Sequence, residues 1–222
     1  MNAAIPPERL KPRALYEEVA ELLRQRIFGR ELEPGSWIDE LKIAKDYGIG
    51  RTPLREALKV LAAEGLVTMK VRRGAYVTEV SKTDLADVYH LLSLLESDAA
   101  GVVATQATDA ELAELQKLHK ALEAAAKPGK AAKPNTDQFF AINEQFHMRL
   151  LAIANNRWRD QMVADLRKVM KLNRHNSLLK TGRIEESLAE HQAIMDALAA
   201  RDAQLTAQRM REHFANGLEA AE

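Results

Sequence analysis

Three histidines and one asparagine in this chain have the spacing of a divalent-metal cage. His191 and His213 each stand eleven positions from Asp202, where a tight turn joins two helical patterns. In an antiparallel helical hairpin, positions equidistant from the turn lie at one height, so the two imidazoles can face one another. His191 continues the apolar stripe of Ile184, Leu188, Met195 and Leu198, and His213 neighbours Met210 and Phe214, so both are expected to point inward. His147 shares another helical pattern with Phe140, Phe146 and Leu150, and Asn143 precedes it by one turn on the same face. Three neutral imidazoles and an amide oxygen suit a first-row divalent ion such as zinc or nickel. The competing reading is a set of hydrogen-bonded core histidines without an ion, and spacing alone leaves both open. His90, His119 and His175 lack such partners and read as surface or locally bonded residues.

A second chemistry lies in residues 41–77. A short helical pattern over 41–47 stops at Gly48, and a second runs over 51–64, opening with Arg51, Thr52, Pro53 and Arg55. After Gly65 come two β-like runs, 66–69 and 75–80, joined by Lys70, Arg72, Arg73 and Gly74. This is a helix-turn-helix with a basic wing, and it delivers cations to a helix N-terminus that can enter a DNA major groove. Arg51 and Arg55 are four apart on one face, and an arginine can donate two hydrogen bonds to guanine O6 and N7. Thr52 can meet a phosphate or cap the helix, and Pro53 fixes the first turn, where its missing N–H matters little. Arg72 and Arg73 stand at the hairpin tip, and Gly74 lets the backbone approach a groove.

The elements that position these residues follow from periodicity and punctuation. Leu15, Val19, Leu22, Leu23 and Ile27 mark one buried helical face over residues 13–30, ended by the turn signal Glu33-Pro34-Gly35-Ser36. Leu54, Leu58 and Leu61 are expected to pack on Leu41, Ile43 and Ala44. Ser81 with Asp84, and Thr108 with Glu111, read as helix-capping signals. Helical patterns then cover 82–105, 108–126, 137–154, 157–178, 183–200 and 202–219, with a Pro- and Gly-bearing loop at 127–135. The fold class is mainly α: a winged helix-turn-helix over residues 1–80, then an all-helical bundle of about six helices over 81–222.

Composition bounds the alternatives. The 222 residues are 46% hydrophobic, enough for a sizeable core. There are no cysteines, which removes disulfides, Cys-ligated zinc and thiol catalysis. The N-terminal stretch lacks the apolar core of a secretory signal, and no run has the ~18 apolar residues of a membrane span. A cytoplasmic protein without membrane partners is expected. Net charge is zero, with 14 Lys and Arg against 12 Asp and Glu in residues 1–79 and 18 against 20 thereafter. DNA affinity must therefore come from local clusters rather than overall charge.

The segments LYEEVAELLRQRI, EPGSWIDE, GIGRTPLREALKVLAAEGLV and RRGAYV resemble the GntR family of bacterial transcription regulators across most of residues 13–80. The resemblance implies that Arg51, Thr52 and Arg55 contact operator DNA and that Gly74 lies at the minor groove. LLESDAAGVVA, NEQFHMRLLAIANN, EHQAIMDALAARD and MREHF are similar to the FCD effector domain of its FadR-type branch, more loosely, over most of 82–219. That implies a divalent metal on Asn143, His147, His191 and His213, a small effector beside it, often a carboxylate, and a homodimer on double-stranded operator DNA.

Two positions depart from the family pattern. Asn143 stands where aspartate is common, so the site loses a negative charge. Leu92 stands where an arginine often holds the effector carboxylate, four residues before Glu96, and leucine cannot donate. Arg149 and Arg174 are the candidate substitutes. The expected function is a ligand-responsive repressor. The alternatives are a metal-responsive sensor, or a metalloenzyme with an appended DNA-binding module. The last lacks a general base, because Glu144 and Glu190 are expected to point away from the histidines beside them.

Overall fold

The computed structural model describes residues 15–127, 136–178 and 182–221, with side chains throughout except at 173–178. The expected loop at 127–135, apart from Lys127, and the side chains of Arg174 and His175 lie outside the described residues. The chain divides into two compact units, residues 1–79 and 80–222.

In the first unit, α1 (Leu15–Phe28), α2 (Glu40–Asp46) and α3 (Arg51–Ala63) precede a two-stranded wing, β1 (Val67–Lys70) and β2 (Gly74–Val77). Asp39 starts α2, its carboxylate accepting from the Lys42 amide at 2.9 Å. Gly48, at φ 62°, turns the chain toward α3. Leu23 and Ile27 of α1 and Leu54, Leu58 and Leu61 of α3 are buried and form the core of this unit. The strands pair antiparallel, Val67 opposite Val77 and Lys70 opposite Gly74. β2 ends at Val77 rather than Val80. Its other edge is used too: the Ile38 amide donates to Ala75 O and the Val77 amide to Ser36 O, both at 2.9 Å. That places Ile38 in the core.

Two apolar residues expected in this core face water. Leu41 is 62% exposed, because it precedes the buried Ile43 by two positions, which is about 200° around a helix. Leu15 is half exposed as the first residue of α1, where its side chain leans past the first turn.

The second unit holds α4 (Lys82–Gln106), α5 (Asp109–Ala126), α6 (Thr136–Ala154), α7 (Arg157–Leu178), α8 (Arg183–Ala199) and α9 (Ala203–Ala221). Ser81 and Asp84 open α4, and Thr108 and Glu111 open α5, each as a reciprocal capping box. Arg201, at φ 56°, closes the α8–α9 turn, and Asp202 Oδ1 accepts from the Leu205 amide at 2.9 Å. Leu92, Phe146, Leu150, Val163, Ile194 and Met210 form a continuous buried core. His119 is not on the surface. It is buried on α5 and shares a 2.7 Å hydrogen bond with Gln192 Oε1 of α8, a cross-helix partner that its own helix does not reveal. Among the described residues, no helix is long and apolar enough to cross a membrane.

The contrast between Leu58 and Leu41 is measurable. In a Trp158→Phe background, Trp37 reports on the first unit alone. Leu58→Ala is expected to destabilise that unit by about 2–5 kcal/mol, and Leu41→Ala by less than about 0.5 kcal/mol, in denaturant titrations followed by Trp37 fluorescence.

Candidate functional site

Helices α6, α8 and α9 bring His147, His191 and His213 together. Their ring centroids lie 5.3 Å (His147–His191), 5.2 Å (His147–His213) and 4.8 Å (His191–His213) apart. One ligand atom from each falls within 4.8 Å of the others. Two donors ~2.1 Å from one zinc ion are at most ~4.2 Å apart, so small ring adjustments separate this cluster from a ligating one. All three histidines are buried.

Two carboxylates orient two of the rings. The His147 Nδ1–H donates to Glu96 Oε2 at 2.6 Å, and the His213 Nδ1–H donates to Glu190 Oε2 at 2.7 Å. An ionised carboxylate only accepts, so each Nδ1 carries the proton, and Nε2 is the ring atom left to face an ion. This is the carboxylate–histidine arrangement that fixes tautomer and ring angle in metal sites. Both carboxylates also hold an arginine. Arg167 donates to both oxygens of Glu96 at 2.9 and 2.8 Å, and Arg183 to both oxygens of Glu190 at 2.8 Å. Asn216 adds a 2.9 Å bond to Glu190.

The electrostatics suit neutral imidazole ligands. Burial, reinforced by the nearby charges of Arg167 and His213, holds His147 well below its ordinary range. Burial does the same to His191, aided by His213 and His147. Glu190 is driven the other way. Burial opposes its charge, but hydrogen bonds from His213 and Arg183 outweigh it and lower the carboxyl to about 2. Burial raises Glu96 against the pull of Arg167. The Arg167 fork, itself buried, still requires an anion there near neutral pH.

The remaining polar atoms are orphans. Both ring nitrogens of His191 and Oδ1 of Asn143 are buried without a hydrogen-bond partner. Such a group costs about 1–3 kcal/mol when left unsatisfied. Three imidazoles meet here, two already oriented and one with nothing to bond, and the unbonded Asn143 amide oxygen belongs to a residue that lines the same cavity as His147 and His213. The residues present fit a divalent ion.

Asn143, His147 and His213 line a cavity of about 100 Å³. Its walls are largely apolar and aromatic, with Leu85, Tyr89, Phe139, Phe140 and Ile184 among them. Gly217 is part of this shape, because a Cβ there would lie 3.0 Å from Tyr89 Cε1. The cations at the cavity are Arg167, Arg183 and Lys171. Arg149 is not among them; it projects outward from α6 and its Nε donates to Glu114 Oε2 at 2.6 Å. Leu92 is fully buried in the core. Sequence reasoning missed Arg167, Arg183 and both orienting carboxylates. Glu190 does not point away from the site: it sits one turn-step from His191 but reaches across the hairpin to His213. Glu144 instead pairs with Lys171 at 2.6 Å.

In the first unit, Arg51, Thr52 and Arg55 are exposed in the first turn of α3. Gly50 precedes the helix without a capping side chain, and that turn holds no acidic residue. Its amide donors and positive dipole end therefore stay open toward solvent, as an anion such as a phosphate requires. Arg55 makes only a 3.5 Å contact with Glu40. At the wing, Arg72 and Arg73 are exposed, and Lys70 lies 4.3 Å over the Tyr76 ring. Gly74 has φ 90°, and a Cβ there would sit 3.1 Å from Trp37 Nε1. Its glycine is thus demanded by the wing's own packing as well as by any groove.

Comparisons with known proteins cover both units. Residues 15–77 match the bacterial regulatory proteins of the gntR family, and residues 87–216 match the FCD domain. The chain is 26% identical over 204 residues to the HTH-type transcriptional regulator YdhC of Bacillus subtilis, covering 92% of this chain and 89% of that one. It is 25% identical over 198 residues to the HTH-type transcriptional repressor RspR of Escherichia coli, covering 89% and 85%. The solved structure of McbR/YncC from E. coli superposes with a TM-score of 0.75 at 23% identity, over 95% of this chain and 98% of that chain, a likeness of fold. FCD domains are often metal-associated, and the histidine cluster is the one group among the described residues suited to an ion.

The orienting carboxylates give a direct test. Glu96→Gln and Glu190→Gln each replace the charged acceptor beside an imidazole with a neutral amide of the same shape. Each is expected to weaken zinc binding by about 10–100-fold in competition titrations against a chromogenic chelator. Glu144→Gln is expected to leave zinc affinity unchanged.

Proposed function

The chain belongs to the GntR family of bacterial regulatory proteins and carries an FCD domain, and from that premise we propose that it is a homodimeric repressor controlled by a small anionic metabolite bound beside a divalent metal. The family is one of transcriptional regulators, not enzymes. Asn143, His147, His191 and His213 would hold the ion, zinc or nickel. The observation that carries this reading is the clustering of the unbonded His191 ring with two imidazoles whose Nδ1 atoms are already engaged, with the unbonded Asn143 Oδ1 one helical turn before His147.

The charge balance narrows the effector. The four ligands are neutral, so a bound divalent ion would keep its full charge and draw an anion. Arg167, Arg183 and Lys171 are already paired with Glu96, Glu190 and Glu144. They leave little uncompensated charge for a second carboxylate. A monocarboxylate with an apolar body matches this cavity: its carboxylate would meet the ion and its body would lie against Tyr89, Phe139 and Phe140. The bound ion would supply a Lewis-acidic anchor. Arg149, turned toward Glu114, has no part in this pocket.

Two copies would present two α3 N-termini to the halves of a pseudo-palindromic operator. Arg51 and Arg55 would read bases, Thr52 a phosphate, and Arg72, Arg73 and Gly74 the flanking groove. Effector binding would favour one arrangement of the bundle, and its control over DNA affinity can be no larger than its preference for that arrangement. Repression requires only that a promoter be covered, and the relative RspR is named a repressor.

The test begins by selecting duplexes from a random pool with the wild-type protein, then measuring affinity by fluorescence anisotropy at fixed salt. Arg51→Ala and Arg55→Ala are each expected to cost about 1–3 kcal/mol on the selected duplex. In zinc-loaded wild type, hexanoate or benzoate is expected to change DNA affinity more than succinate does. The His191→Ala, His213→Ala double variant is expected to bind DNA and ignore all three acids. Failure to enrich any duplex would overturn the regulator reading, and an equal response in the double variant would overturn the metal-anchored effector.

A further inference from the structure

The cavity is built in layers along the hairpin of α8 and α9. Residues equidistant from Asp202 face one another across it, as the 4.8 Å separation of the His191 and His213 rings shows. One turn farther from Asp202, the same counting sets Ser187 of α8 against Gly217 of α9. Another turn on, it sets Arg183 against Ala221. Of these six residues, all but His191 line the cavity.

The three layers differ in chemistry. The histidine layer is the candidate ion site. In the outermost layer, the Arg183 guanidinium is already held by both oxygens of Glu190. The layer between them contributes no charge from the hairpin. Gly217 has no side chain, and the Tyr89 ring closes over it, its Cε1 3.0 Å from where a Cβ would stand. Space in this layer therefore depends on the glycine.

Ser187 is the polar side chain that the hairpin places there. It is 6% exposed, yet its hydroxyl makes no hydrogen bond with any described residue. A buried serine within a helix commonly donates to the carbonyl one turn back, and Ser97 of α4 does so, to Ser93 O. Ser187 has no such bond, so its hydroxyl keeps both its donor and its acceptor capacity at the cavity wall. The nearest cation on its own helix face, Arg183, is paired. This position thus suits a neutral oxygen rather than a second carboxylate. A wall that offers such a group discriminates against a ligand with no oxygen to match it.

We propose that Ser187 is a specificity-determining residue and that the effector is a hydroxylated monocarboxylic acid, its hydroxyl bonded to Ser187 Oγ. This rests on the metal-anchored effector reading above and narrows it: the apolar body carries one neutral oxygen. Four residues along α8 separate Ser187 from the level of His191, a rise of ~6 Å. A hydroxyl on the carbon next to the carboxylate falls short of that distance, so the matching oxygen stands farther along the body of the acid.

Isothermal titration calorimetry on the zinc-loaded full chain, with hexanoate and with 3-, 5- and 6-hydroxyhexanoate, tests this assignment. Wild type is expected to bind at least one of the hydroxy acids about 5-fold or more tightly than hexanoate. Ser187→Ala removes no hydrogen bond within the protein and introduces a better helix former, so its far-ultraviolet circular dichroism is expected to match wild type. In that variant the favoured hydroxy acid is expected to lose its advantage over hexanoate. A wild type that binds hexanoate but favours none of the hydroxy acids would overturn the proposal and leave the metal-anchored effector standing. A preference that Ser187→Ala retains would do the same. Failure of the zinc-loaded wild type to bind any of the four acids would overturn both.

Discussion

A carboxylate with no exposure sits at the centre of the helical unit, and much else is arranged around it. Glu96 on α4 is fully buried. An unpaired charge there would cost several kcal/mol. The Arg167 fork from α7 and the His147 Nδ1–H from α6 answer it, so one side chain locks three helices in register. Glu190 repeats the device on the other side, binding Arg183 within α8 and His213 and Asn216 of α9. The two carboxylates thereby set the faces of two imidazoles before any ligand arrives. They also occupy the two guanidiniums that line the cavity, so an anionic effector as proposed would depend on an ion for positive charge.

The first unit solves the opposite problem. The groups proposed to meet DNA stay in water, and Arg55 makes only a 3.5 Å contact with Glu40. In the helical unit, α4 and α5 close their first turns with capping boxes. The first turn of α3 has no cap side chain and no acid, and it begins with Arg51, Thr52 and Pro53. The wing is held from behind rather than from its tip. Trp37 lies against Gly74, and the segment around Ile38 hydrogen-bonds to the free edge of β2. The exposed tip keeps its cations available.

Much of this was legible along the chain because it depends on local order. The capping pairs at Ser81 and Thr108, the turn at Gly48 and the counting from Asp202 to His191 and His213 need only helical geometry. What escaped depends on contacts between helices. Arg149 and Arg167 are both arginines on amphipathic helices, and nothing within either helix says that one meets Glu114 outside and the other Glu96 inside. His119 looked isolated because its partner, Gln192, is seventy-three positions away. Glu190 adjoins His191 in sequence, but its carboxylate crosses to His213 on the next helix. The type of Leu41 suggests core, but it lies about 200° around α2 from the buried Ile43.

The most direct test of the central claim is zinc K-edge X-ray absorption on protein loaded with zinc and dialysed. The account predicts three imidazole nitrogens and at least one oxygen about 2.0–2.1 Å from the ion, with the imidazole signal lost from the His191→Ala, His213→Ala variant. Zinc that washes out completely, or that is retained with fewer than two imidazoles in its shell, would contradict it. The histidines would then be core residues, and the cavity would have to recognise its ligand without an ion.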